Sequence, residues 1–223
     1  MASVSIRTRL TVLRDGSTIA APVAFCAADG QSVPLSRCAT CGFGSCFERD
    51  ERGRFASLAC SRVAEPRSPD ESGDRAQSEG RASAPEPRSM PVGRALTRPF
   101  VCLAEDALVV TVARFFESES TAFGLPVVDG RGRLVGTLAR ATAALALAGS
   151  RRGRVVGEML VPSRVVSERA SVAATFASMR ERSAQEIAVL GDDRALVGVL
   201  RDIDALRILA RSARSDADIQ LAG

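Results

Sequence analysis

Five cysteines fall within 35 residues near the start of the chain: Cys26, Cys38, Cys41, Cys46 and Cys60. Cys38 and Cys41 form a C-x2-C knuckle, a spacing at which two thiolates converge on one metal ion from a tight turn. Eleven residues separate Cys26 from that knuckle and eighteen separate the knuckle from Cys60. The spacing predicts a tetrahedral four-thiolate site of Cys26, Cys38, Cys41 and Cys60. In it the runs VAFC and SLAC come from neighbouring strands and the knuckle caps them. Zinc in a structural role is the expected ion, because so short a region cannot build a full core of its own. Cys46, in GFGSCF, is the alternative to Cys60 as fourth ligand. An iron–sulfur cluster accepts the same thiolates, and a redox C-x2-C needs only two of them. The sixth cysteine, Cys102, sits in an apolar run and reads as a small buried hydrophobe.

The residues that are absent exclude much other chemistry. No His is present, which removes the commonest general base, the Ser–His and Cys–His nucleophile pairs, and imidazole metal ligands. No Lys is present either, so all 30 basic residues are arginine, and P-loop and Schiff-base chemistry are gone. A non-enzymatic role is expected. The net charge of +4 is spread evenly, with 7 Arg against 5 acids in residues 1–60 and 18 against 15 in residues 91–223. Such a balance disfavours a nucleic-acid footprint. No apolar run is long enough to span a membrane, and MASVSIRTRL lacks the apolar stretch of a secretory signal. A cytoplasmic protein is expected, and there disulfides are disfavoured.

Positioning falls to three zones. Residues 1–62 form a small β-rich, cysteine-containing segment. Residues 63–90, rich in Pro, Ser, Glu, Arg and Gly, cannot bury enough apolar surface to order themselves and read as a disordered linker. Beyond them the chain says nearly the same thing twice. VGRALTRPFVCLAEDALVVTVARFFES with GLPVVDGRGRLVGTLARATAAL is followed by VGEMLVPSRVVSERASVAATFASMRER with EIAVLGDDRALVGVLRDIDALRIL. The offset is 64 residues at Gly93/Gly157 and 62 at Gly136/Gly198. Two such units share one core. Helical spacing covers Ala104–Ser118, Ser171–Arg182, Ala139–Leu147 and Asp202–Ala213. Apolar runs flank turn residues at Asp129-Gly130 and Gly191-Asp192, the signature of a hairpin. Each copy therefore reads strand–helix–strand–strand–helix after a short lead-in turn, with 91–150 the first repeat, 151–214 the second and 215–223 a frayed tail.

This order, with LPVVD…GRLVG at its centre, resembles the cystathionine-β-synthase-type (CBS) domain. The resemblance implies a mixed α+β or α/β fold, with tandem βαββα repeats packed as a pair. It also implies a regulatory module, a homodimer built through that pair, and AMP, ADP or ATP as effector. Family members hold the nucleotide with a Gly–apolar–apolar–Ser/Thr–x–x–Asp run. The hydroxyl faces phosphate and the Asp accepts hydrogen bonds from the ribose. Gly136, Ala139 and Thr142 stand at those positions in the first copy, so both polar roles are weakened. Gly198, Arg201 and Asp204 stand there in the second, so any ligand is expected beside Asp204. Arg201 could clamp a phosphate bidentately, fill the cleft, or pair with a neighbouring Asp. The other reading is a dimerisation scaffold with dead clefts, its cysteine-rich head binding an unknown protein or nucleic acid.

Overall fold

The structure is a computed structural model that describes residues 2–41, 43–51, 53, 55–61, 90–118, 123–149 and 153–221. Nearly all of the expected linker lies outside the described residues.

The two repeats have the same topology. In the first, β6 (Phe100–Ala104) runs parallel to β7 (Gly124–Val128), which pairs antiparallel with β8 (Leu134–Ala139). Helices α3 (Val109–Ser118) and α4 (Arg140–Ala148) complete it. The second has β9 (Val165–Ser167) parallel to β10 (Glu186–Leu190), then β11 (Leu196–Arg201) antiparallel, with α5 (Val172–Glu181) and α6 (Asp202–Leu221). Ser171 caps α5 as its position suggested, its Oγ accepting from the Ala174 N–H at 3.1 Å. Helix α3 starts later than the apolar spacing implied. Ala104 still belongs to β6, and the Ala107 N–H closes a turn onto the Ala104 carbonyl at 3.0 Å. Helix α6 runs on to Leu221, through most of the stretch expected as a tail. No Gly or Pro interrupts residues 202–221, so local hydrogen bonding propagates the helix unopposed.

The repeats exchange their lead-in segments. Helix α2 (Val92–Ala95) opens the first repeat but docks on the second. The Val92 and Gly93 N–H groups donate to the Ala170 and Glu168 carbonyls, both at 2.8 Å. The 3-10 turn Val156–Met159 opens the second repeat and docks on the first, with Val156 and Gly157 donating to Ala107 and Glu105 at 2.8 Å. Accordingly Val92 and Leu96 pack among Val172, Met179, Val197 and Leu200, while Val156 packs among Leu103, Val109, Val127 and Leu138. A third cluster joins the two sheets: Cys102, Val128, Leu134, Ala188 and Leu196. Neither repeat has a complete core without the other, the physical reason that the chain carries two.

The N-terminal segment is part of this body, not a tethered head. Strand β1 (Ala2–Val12) is the neighbour of β6, pairing in parallel from Arg9↔Phe100 to Val12↔Leu103. On its other side it pairs antiparallel with β2 (Thr18–Cys26), and β2 with β3 (Gln31–Pro34). The first residues of β1 pair with β5 (Phe55–Cys60), which pairs with β4 (Gly44–Arg49). The period-2 alternation of SIRTRLTV sorts its side chains. Ile6 joins Ala24, Leu35 and Leu58 in a small N-terminal core, and Val12 is fully buried in the core of the first repeat. The opposite face presents arginines to the second repeat. Arg7 Nε donates to the Val197 carbonyl at 2.7 Å and Nη1 to that of Gly93 at 3.1 Å. Its Nη2 donates to Ser32 Oγ, which donates in turn to Glu168. Arg7 and Glu168 are each only 1% exposed.

Candidate functional site

Exchanging the lead-ins creates two clefts, each walled by the lead-in of one repeat and by strands of both. The cleft beside Asp204 encloses about 250 Å³. Arg98 and Pro99 come from the first repeat's lead-in, Phe100 and Val101 from β6, Leu125 and Pro126 from β7, and Glu186, Val199, Arg201 and Asp204 from the second repeat. Strand β11 delivers Arg201, whose cross-strand partner on β10 is Glu186. Asp204 lies in the first turn of α6, where a carboxylate complements the helix dipole. Its Oδ1 lies 3.6 Å from Arg98 Nη2 and 3.5 Å from Arg207 Nη1. The charged set thus comprises Asp204, Glu186, Arg201 and Arg98, the last supplied by the other copy.

The second cleft, about 220 Å³, is lined by Phe123, Pro126, Thr137, Ala139, Pro162, Arg164 and Ile187 among others. Thr137 Oγ1 is engaged with Ser163 Oγ at 2.6 Å. The carboxylate on this wall is Glu186, which also lines the first cleft, and no residue of the first repeat stands here as Asp204 does there. Thr142 is partly buried on α4 and does not line the cleft.

Two expected site residues are placed elsewhere. Gly198 belongs to β11, and a Cβ there would clash with Leu96 Cδ1 from the exchanged lead-in. Gly136 is its counterpart, where a Cβ would stand 2.9 Å from Leu160 Cβ and 3.2 Å from the Val161 carbonyl. These glycines admit the leucines of VGRAL and VGEML, and neither is among the residues that line the two clefts. Thr142, three residues after the rim residue Ala139, lies in the first turn of α4 and is not among the residues that line the cleft. Arg98 is the residue that reading each repeat by itself overlooks. Its signal was the repeat itself, since paired units that share a core can line a cleft jointly.

Cysteines from distant parts of the sequence also come together. Cys26 ends β2, Cys38 lies in the short helix α1 (Leu35–Thr40), Cys41 caps it, and Cys60 ends β5. All four line one cavity of about 120 Å³ with Val4, Phe25, Arg37 and Leu58. Each is a partly buried free thiol. Burial pushes the Cys38 thiol above its ordinary value, and the proximity of Cys26, Cys41 and Cys60 pushes it the same way. Among the described residues, however, no three Cys, Asp or Glu side chains converge closely enough to hold a metal ion as they stand. The expected tetrahedral geometry is therefore not formed. Cys102 is fully buried between the sheets, 3.4 Å from Thr11 Oγ1, in the structural role expected of it.

Among the described residues no helix is long and apolar enough to cross a membrane. Comparison with known proteins bears on the repeats alone. No curated protein matches the chain. The CBS domain of a CBS-domain-containing membrane protein from Sphaerobacter thermophilus is 23% identical, covering 54% of this chain and 88% of its own, with a TM-score of 0.44. A CBS domain pair solved with 5′-methylthioadenosine and S-adenosyl-L-methionine is 22% identical, covering 54% and 95%, with a TM-score of 0.44. The CBS domain of a bacterial CNNM/CorC family Mg2+ transporter, solved with ATP, is 19% identical, covering 56% and 90%, with a TM-score of 0.45. At such TM-scores these likenesses add nothing to the assignment. It rests on a sequence match to the CBS domain family over residues 92–149. That match spans about a quarter of the chain, and the residues that follow it repeat the same element order.

Proposed function

We propose that the paired repeats form a regulatory module that binds an adenosine nucleotide in the cleft beside Asp204. The observation that carries this reading is the meeting of Asp204, Arg201 and Arg98 in one cavity built from both repeats. A carboxylate offers paired acceptors to a ribose diol, and guanidinium groups suit phosphate oxygens. The apolar walls at Phe100, Val101, Leu125 and Pro126 suit a purine face. Adenosine compounds are the class bound in two of the solved CBS structures named above. Regulation follows from where the groups come from. A ligand held by Arg98 on one side and by Arg201 and Asp204 on the other binds only one pose of the two repeats, and so shifts the population toward it. The second cleft, with Ala139 on its rim, lacks this set and is not a nucleotide site in this reading.

Titration of the full chain with AMP, ADP and ATP by calorimetry tests the proposal. Binding of at least one nucleotide is expected, weakened about tenfold or more by Asp204→Ala, since hydrogen bonds to charged groups contribute about 1.5–3 kcal/mol. Absence of heat up to millimolar nucleotide overturns it.

A second reading is favoured by the outer helix faces. Val110 on α3, Leu145 on α4, and Ile203 and Leu206 on α6 are 50%, 76%, 46% and 48% exposed. Apolar side chains left in water on several helices suit a homodimer formed through the pair. Light scattering that shows a dimer unchanged by nucleotide would favour the scaffold role; a monomer at all concentrations would remove it.

A further inference from the structure

We propose that Cys26, Cys38, Cys41 and Cys60 bind a single zinc ion as a four-thiolate site that ties β2, α1 and β5 of the N-terminal segment together. The inference goes beyond the nucleotide reading and does not depend on it.

The four cysteines come from three elements with no disulfide among them, yet they line the same small cavity. A Cys side chain reorients among staggered rotamers about its Cα–Cβ bond without moving the backbone. Sulfurs that border one cavity can therefore turn inward to an ion, although they do not converge without it. Binding replaces four S–H bonds with four Zn–S bonds and releases the protons to solvent. The resulting site carries two negative charges. Arg37 and Asp29, both on the cavity wall, are paired with each other at 3.0 Å and as a neutral pair offset neither charge.

The surroundings supply the need for such an ion. The local core consists of Ile6, Ala24, Leu35 and Leu58, with Val4, Cys38 and Phe55 partly buried against it. So small a core does not fix a six-residue helix and two hairpins, and a structural metal does so in domains of this size. The consequence reaches the second repeat. Cys26 pairs directly with Gln31 across the β2–β3 hairpin, and the next residue, Ser32, donates its N–H to both Glu168 oxygens at 3.0 and 2.9 Å. An ion on Cys26 thus pins the hairpin that satisfies a buried carboxylate of the second repeat.

The test uses the full chain, purified without chelator and without nucleotide. Elemental analysis is expected to give about one zinc per chain. Cys38→Ser and Cys60→Ser should each lower that content to less than half, whereas Cys46→Ser should leave it unchanged. Because those variants could unfold the segment, the unaltered chain is also stripped and titrated with cobalt(II) as probe. Thiolate-to-cobalt charge-transfer bands with tetrahedral visible bands are expected, bleached by added zinc. Chain that binds neither zinc nor cobalt overturns the proposal. Iron with acid-labile sulfide overturns the choice of ion. Loss of metal in Cys46→Ser but not in Cys60→Ser overturns the ligand set. None of these outcomes bears on the nucleotide cleft.

Discussion

Arg7, on the first strand of the chain, and Glu168, at the end of the second repeat's first strand, are buried together and linked through Ser32. Burial pulls the Arg7 guanidinium down to about 10, against the opposing attraction of Glu168, and the group stays charged at neutral pH. A buried charge that loses its partner is far more costly than a pair removed together. Glu168→Gln should therefore destabilise the chain by about 3 kcal/mol, measured by urea unfolding. The double variant Arg7→Met/Glu168→Gln should lose less than the sum of its parts. Additive losses would show that the two groups are not coupled.

Removing β1 should damage repeats that lie far from it in sequence. A chain starting at Met90 leaves the β6 edge without its partner and exposes the core that Val12 covers. Burying a side chain of that size contributes about 1.5–3 kcal/mol, and the open edge invites association. The shortened chain should melt at lower temperature than the full chain and form larger species on size exclusion. Equal melting and a clean monomer would show the segment to be dispensable.

The exchange of lead-ins can be tested at its glycines. A methyl at Gly198 meets Leu96, and one at Gly136 meets Leu160 and the Val161 carbonyl. Overpacking of this kind costs about 1–3 kcal/mol. Gly136→Ala should be the worse tolerated, because a backbone oxygen cannot swing aside as the end of a leucine can. In Gly198→Ala/Leu96→Ala the two effects should partly cancel. A double variant as unstable as the sum would separate the two residues in space.

Acid should weaken one hairpin in a definable direction. Asp129 is held below the ordinary carboxylate value, first by the Arg133 backbone N–H and then by that residue's guanidinium and the Arg131 N–H. A lowered folded value means that its contribution is complete above the ordinary range and is lost as pH falls through the lowered one. Asp129→Asn should melt below the unaltered chain at neutral pH, and the gap should close in acid. A gap that is constant with pH would assign the effect to shape instead of charge.

The repeat, the element types, the hairpins at Asp129-Gly130 and Gly191-Asp192 and the cap at Ser171 were all legible because they rest on local rules. Apolar period, turn chemistry and capping act within a few residues of one another. The cysteine spacing was legible for the same reason, and all four line one cavity, but the convergence that the spacing predicts is not formed among the described residues. What the sequence does not encode locally is which copy serves which core. That Val92 docks on the second repeat and Val156 on the first was decided by packing, since either leucine-bearing lead-in could lie on either sheet's glycine. The same decision moved Gly198 from cleft to core and brought Arg98 opposite Asp204. Strand β1 alternates like any half-buried strand, and nothing in SIRTRLTV announces a partner 91 residues away at Phe100. Only the tertiary structure pairs them, because a strand's hydrogen-bonding edge carries no address and its partner is chosen by the side chains that both faces must bury.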